Sequence, residues 1–219
     1  MEALMDITYG MYVITTKYDG RKVGCFVNTV SQVTAVNPII SVSINKGNYT
    51  NEALRNTKIF AVSILSENTN PDVIGRFGFF SSKDTDKFKE TKYENINDIP
   101  VVTDNICGYA ICEVIDVIDA ETHDIFLARV LETKKLNDFV PMTYKYYHDV
   151  IKGKAPKTAP TYIEEKQERP DSEGDKYRCI VCGHIYDEAK EKVKFDDLPA
   201  DWMCPICGVG KAKFKKMEE

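Results

Sequence analysis

The chain has 219 residues, enough for one large domain and one small one. Its formal net charge is −5 with no long basic run, which argues against a nucleic acid as partner, because neutralising phosphates needs clustered Lys and Arg. No apolar run approaches the ~20 residues that span a bilayer, and "MEALMDITYG" lacks a basic segment followed by an apolar one, so a cytoplasmic location away from membranes is expected.

In chain order, "MYVITTKYDGRKVGCFVNTV" reads as a hairpin turning at Asp19-Gly20. "IISVSIN" alternates Ile40, Val42 and Ile44 with serines, the period of a half-buried strand, and "IFAVSILS" repeats that period. Two short helices are expected: "NYTNEALRN", capped by Asn48 or Thr50, and "NPDVIGRF" after Asn70-Pro71. "GYAICEVIDVIDAETHDIFLARVLETKKL" reads as two long antiparallel strands joined near residues 120–122. Many strands with few helices favour an antiparallel barrel, a mainly β fold, over a doubly wound sheet.

The composition then changes. "KGKAPKTAPTYIEEKQERPDSEGDK" holds Pro156, Pro160 and Pro170 among dense charge, which reads as a linker. The expected division is a barrel over residues 1–151, a linker over 152–175 and a small module over 176–219. A flexible chain of the linker's length spans ~25–30 Å. A module this small rarely builds a sufficient core without a staple.

Seven cysteines are present, an odd number, and four of them are tightly paired. Cys179, Cys182, Cys204 and Cys207 form two C-x-x-C-G pairs, a tetrahedral sulfur set that suits zinc or iron. Gly183 and Gly208 tolerate the left-handed backbone that follows each pair. Cys25, Cys107 and Cys112 are expected as buried thiols. Spacing alone leaves zinc ahead of iron.

The surroundings of the cysteines reverse that order. Tyr177, Tyr186, Phe195, Trp202 and Phe214 surround them, and "YRCIVCGHIYD" and "FDDLPADWMCPICG" closely resemble rubredoxin. The resemblance implies one iron on four cysteines, cycling between ferric and ferrous. The chain departs from typical rubredoxins in the shortened segment "EAKEKVK".

The large domain contains neither a G-x-G-x-x-G nor a G-x-x-x-x-G-K-[ST] phosphate loop. "VNTVSQVTAVNP" and "INKGNYTNEA" are unusually polar for strands. They read either as a solvated face with an ordinary helix cap or as a phosphate cradle at a helix N-terminus, with Lys46 adding charge. With "ITYGMYVITT", "FGFFSSKDTDKF" and "PMTYKYYHDVIKGKAPKTAPTY", these stretches resemble the flavin reductase-like family of FMN-binding split β-barrels, in its branch fused to rubredoxin.

That resemblance implies a homodimer with FMN near its interface. Asn28, Thr29, Ser31 and Gln32 would line the isoalloxazine edge, and Asn45, Lys46, Asn48 and Thr50 the phosphate end. Lys87 would lie near the flavin, and His148 could face it or the nicotinamide as a catalytic group. His123, in a hairpin turn, and His184, in a cysteine knuckle, are read as structural. The implied route is hydride from NAD(P)H to FMN, single electrons to the Fe(Cys)4 centre, then delivery to a partner such as a flavodiiron O2 or NO reductase. Two other readings are a flavin or ferric reductase and a non-enzymatic zinc-ribbon interaction module.

Overall fold

Asp19 and Gly20 have φ of 50° and 70°, the positive pair that a two-residue type I′ turn requires. In this computed structural model, which describes residues 4, 6–151, 175–191 and 193–217, they join strands β1 (Tyr12–Tyr18) and β2 (Arg21–Val27). Strands β3 (Val30–Gln32) and β4 (Ile39–Asn45) follow, then helix α1 (Tyr49–Thr57) and β5 (Ile59–Ile64). Helix α2 (Pro71–Phe79) leads to a short hairpin, β6 (Tyr93–Ile96) and β7 (Ile99–Val102), and then to the long strands β8 (Gly108–Ala120) and β9 (His123–Lys135). Helix α3 (Tyr144–Asp149) closes this part of the chain.

Seven strands pair antiparallel in the order β2-β1-β5-β8-β9-β4-β3. Among the described residues the terminal strands β2 and β3 pair neither with each other nor with a further strand, which leaves the sheet two open ends. It is nevertheless strongly curled, because Cys25 and Val27 of β2 share one buried cluster with Ile40, Val42 and Ile44 of β4, near the opposite end. This is a split barrel. Strands β1 and β5 are buried on both faces. Ile14, Phe60 and Val62 point into the barrel, while Val13 and Ala61 pack on Val73, Ile74 and Phe77 of α2 and on Val101 and Val102 of β7. Each such side chain contributes about 1.5–3 kcal/mol on leaving water.

The helix ends follow from local chemistry. Asn48 caps α1 by accepting from Thr50 N at 2.9 Å, so Thr50 lies in the first turn, where it is fully buried. Asn70 caps α2 by accepting from Asp72 N, with Pro71 in the first turn. The β6–β7 hairpin and α3 are additions to the expected elements. Pro100 lies inside β7 and obscured it as a strand. At six residues, α3 is too short to show a period.

The C-terminal module is a three-stranded sheet, β11 (Ile185–Asp187), β10 (Lys176–Cys179) and β12 (Phe214–Lys216), in that spatial order. Its core is the cysteines with Tyr177, Tyr186, Phe195, Ile206 and Phe214, and Phe79 of α2 packs against it. The expected linker, apart from Asp175, lies outside the described residues.

Candidate functional site

Each cysteine pair sits in a tight turn. Gly183 N donates to Cys179 O and Gly208 N to Cys204 O, both at 2.9 Å, and the two glycines have φ of 78° and 70°. The turns bring all four sulfurs within 4.8 Å of one another, with Cys179 Sγ to Cys207 Sγ at 3.7 Å and Cys182 Sγ to Cys204 Sγ at 3.6 Å. Sulfurs ~2.3 Å from a central ion in a tetrahedron stand ~3.8 Å apart, so the donor set fits a four-coordinate ion as it stands. The N–H groups of Ile206 and Cys207 hydrogen-bond Cys204, His184 N–H serves Cys182, and Val209 N–H serves Cys207. Bonds from the Cys182 and Cys207 thiols, helped by the backbone donors, hold Cys204 well below the usual thiol range, while Cys182 and Cys207 are pushed up. Backbone N–H groups aimed at three of the four sulfurs can share thiolate charge opposite a cation.

The shell around the sulfurs is aromatic and buried. Tyr177 stacks on Phe195 at 4.1 Å, and Trp202 meets Phe214 and Tyr186 edge-on at 5.3 and 5.7 Å. Tyr186 Oη donates to Val193 O, so its one polar atom is satisfied. Such a shell excludes water and fixes the sulfur positions. Both serve an ion whose charge changes.

A second cluster lies at the β3 end of the sheet. Ser43 N donates to Thr29 O and Val33 N to Ile39 O. By antiparallel alternation the backbone groups of Val30 and Gln32 then face away from β4, along the open edge. Ser31 and Gln32 are exposed there, Asn28 is buried, and Thr29 Oγ1 donates to Ser43 O. An edge of amides and hydroxyls can hydrogen-bond the polar rim of a flat heterocycle. The β4–α1 turn is adjacent. Within it Gly47 N donates to Asn45 Oδ1, Asn48 N to Asn45 O and Asn51 N to Asn48 O. Several of its amides are thus already engaged. The cation at this turn is Lys46, whose Nζ lies 2.6 Å from Asp119; both side chains are partly exposed. Such pairs are worth ~0–1 kcal/mol, so an incoming phosphate could draw Lys46 away at little cost. The residues fit a phosphate-bearing flavin through Lys46 and the strand edge more than through the turn's amides.

The structure brings to this corner a group that the sequence reading set aside. His123 stands opposite Asn45 in the β4–β9 register, and Lys46 N donates to Thr122 O. Arg55 of α1 reaches fully buried Asp124 at 2.7 Å. Only long-range strand pairing reveals this, since some 70 residues separate the partners in sequence.

Lys87 lies between β2 and α2. It is 2% exposed, and its Nζ donates to Gly24 O at 2.8 Å and to Phe77 O at 3.2 Å. It ties β2 to the C-terminal turn of α2, and burial lowers it to about 8. Gly24 and the adjacent Cys25 lie on β2, and Cys25 in turn faces Thr50. His148 is half-buried on α3, edge-on to Tyr144 and Tyr147 at 4.3 and 5.5 Å. Cys25, Cys107 and Cys112 are buried. No helix among the described residues is long and apolar enough to cross a membrane.

Comparison with known proteins finds two families along the chain. The sequence model of the flavin reductase like domain matches residues 4–152, and that of rubredoxin matches residues 176–214. A high molecular weight rubredoxin of Moorella thermoacetica is 38% identical, with 99% of each chain covered. A ferric-chelate reductase (NAD(P)H) of Archaeoglobus fulgidus is 36% identical over 76% of this chain and 99% of its own. Among solved structures, the flavin reductase HpaC complexed with NADP+ superposes with a TM-score of 0.57 at 22% identity, covering 66% of this chain and 93% of that one. That last likeness establishes the fold.

Proposed function

Because the chain belongs to the flavin reductase-like family and carries a rubredoxin domain behind its split barrel, we propose that it is an NAD(P)H-dependent electron-transfer flavoprotein. The observation that carries this reading is the juxtaposition in one chain of a polar barrel edge and a four-sulfur centre wrapped in aromatic groups. When bound, FMN supplies the exchange between a hydride and single electrons, and an iron on the four sulfurs supplies a one-electron site.

The chain's own residues supply binding and orientation. Ser31, Gln32, Asn28 and Thr29 are proposed to hold the ring edge. Lys46, released from Asp119, is proposed to meet the phosphate beside Asn45, Asn48 and Thr50. Lys87 is proposed to lie near the flavin from its buried position, where it ties β2 to α2. His148 is the candidate for the nicotinamide side. Cys179, Cys182, Cys204 and Cys207 are proposed to hold iron, and their backbone N–H bonds spread thiolate charge.

The nicotinamide donor is supported by the likeness to the ferric-chelate reductase (NAD(P)H) of Archaeoglobus fulgidus. We further propose a cytoplasmic homodimer that delivers electrons to a partner such as a flavodiiron O2 or NO reductase. Exposed Val33, Val36, Ile115, Ile118 and Leu131 on the barrel supply apolar surface for such a dimer. The boundaries proposed are a barrel over 1–151, a linker over 152–175 and the module over 176–219.

A second reading has support in the ferric-chelate reductase, which matches 99% of its own length within 76% of this chain. On that reading the barrel releases electrons directly to Fe(III) or free flavin. Cys179→Ser separates the two: a reductase keeps its Fe(III) turnover, whereas the electron-transfer protein loses delivery to its partner.

A further inference from the structure

Helix α2 contains two glycines, Gly75 and Gly78, although glycine is among the poorest helix formers. Their surroundings differ sharply. Among the described residues a Cβ on Gly78 would meet only the Phe26 side chain, at 3.8 and 4.0 Å. A Cβ on Gly75 would stand 2.7 Å from Cys207 Cα and 2.9 Å from Ile206 O, both backbone atoms of the second cysteine turn. Under 3.0 Å from backbone, no side-chain rotation relieves the clash, so the two segments must part. Asp72 lies on the same side, its Oδ1 3.8 Å from where a Cβ on Gly208 would stand. Phe79, one turn further on, packs on the module's aromatic cluster.

Around this contact the seam is loose. A cleft of about 310 Å³ separates the two parts, lined among others by Arg76, Phe80, Met203 and Gly208. A tight backbone contact beside an open cleft makes the fit depend on very few atoms.

We propose that α2 is a docking seat for the four-cysteine module of its own chain, with Gly75 as the residue that admits the Cys207 turn. The seat sets the metal centre directly against the barrel, and Phe77 and Lys87 join the same helix to Gly24 of β2. The docking itself does not depend on the redox reading of the preceding subsection; its use in handing electrons to the centre does. A serine or alanine at position 75 keeps the helix but pushes the cysteine turn off it.

The test is hydrogen exchange on the full-length, metal-loaded protein for Gly75→Ala, Gly78→Ala and Phe79→Ser. The visible spectrum of the metal centre serves as the check that the module is folded. In Gly75→Ala, amides of residues 73–79 and 203–209 should exchange about tenfold faster or more, as locally released segments do, with the spectrum unchanged. Gly78→Ala should match the parent protein. Phe79→Ser, which leaves the cysteine turn untouched, should repeat the loss of protection and so covers the case in which Gly75→Ala fails to fold. Unchanged exchange in both Gly75→Ala and Phe79→Ser would overturn the seat. If the parent's metal is not reduced by either nicotinamide, the redox reading fails while the exchange result still decides the docking.

Discussion

Replacing Lys87 by methionine isolates one buried charge. The side chain is 2% exposed, and its ammonium holds Gly24 O and Phe77 O. A lysine ordinarily titrates near 10.5, and burial lowers Lys87 to about 8. At 1.36 kcal/mol per pH unit the difference sets a ceiling of roughly 3 kcal/mol. The two carbonyl acceptors favour the charged form, which leaves ~1–3 kcal/mol as the expected effect. The sign follows from the folded value lying below the unfolded one. Between about pH 8 and 10.5 the unfolded chain binds more protons at this position than the folded chain, so this contribution to stability rises with pH across that window and is flat below it. Urea unfolding of the parent and of Lys87→Met, followed by far-ultraviolet circular dichroism from pH 7 to 10, reads this directly. Groups that do not feel Lys87 titrate alike in both proteins and cancel in the difference; both proteins carry Cys25→Ala, because that thiol and Lys87 shift one another. The parent should gain on the variant by ~1–3 kcal/mol up to full deprotonation near pH 10.5, with the greater part reached by pH 10. Parallel curves would refute the reasoning, because they would mean that Lys87 titrates as an ordinary exposed lysine.

Two further outcomes are expected. Cys182→Ser leaves three sulfurs, and because a small module draws much of its folding energy from its metal, it should abolish the visible metal band and the cooperative melting of Trp202 fluorescence. Trp202 is the chain's single tryptophan, so retained circular dichroism would report the barrel separately; an unshifted Trp202 transition would show that the aromatic shell folds without the ion. Asn48→Ala removes the α1 cap that accepts from Thr50 N. It should cost ~1 kcal/mol, a fall of about 2–4 °C in Tm for a chain of this size, and should weaken FMN in equilibrium dialysis, whereas unchanged FMN affinity would remove this turn from the proposed phosphate end.

The parts of the fold that local chemistry decides were legible in the sequence. Asp19-Gly20 forces a hairpin through its two positive φ angles, the strand periods of residues 40–44 survive in β4, Asn48 is the cap of the two residues offered for α1, and α2 starts at the expected Asn70-Pro71. The four sulfurs converge because each pair closes its own turn. What depends on distant packing was not legible. The burial of Lys87 needs α2 laid across β2, and the pairing of His123 with Asn45 needs the register of β9 against β4. The close contact at Gly75 requires the module to be seated, and a glycine in a helix gives no sign of what lies beside it. The β6–β7 hairpin carries the turn pair Asn97-Asp98 with φ of 49° and 66°, a local signal that Pro100 outweighed.

On the proposed function, a flavin in the barrel and an iron in the module form one electron path. The measurement that tests it most directly is anaerobic stopped-flow mixing of the purified full-length protein with NADH and with NADPH. Flavin and metal absorbance are followed together, after iron, zinc and flavin have been assayed. The expected result is a yellow-red protein that contains flavin and iron, in which flavin bleaching is followed by bleaching of the iron bands. A colourless, zinc-containing protein without flavin, or an iron centre that stays oxidised while the flavin is reduced, would contradict it.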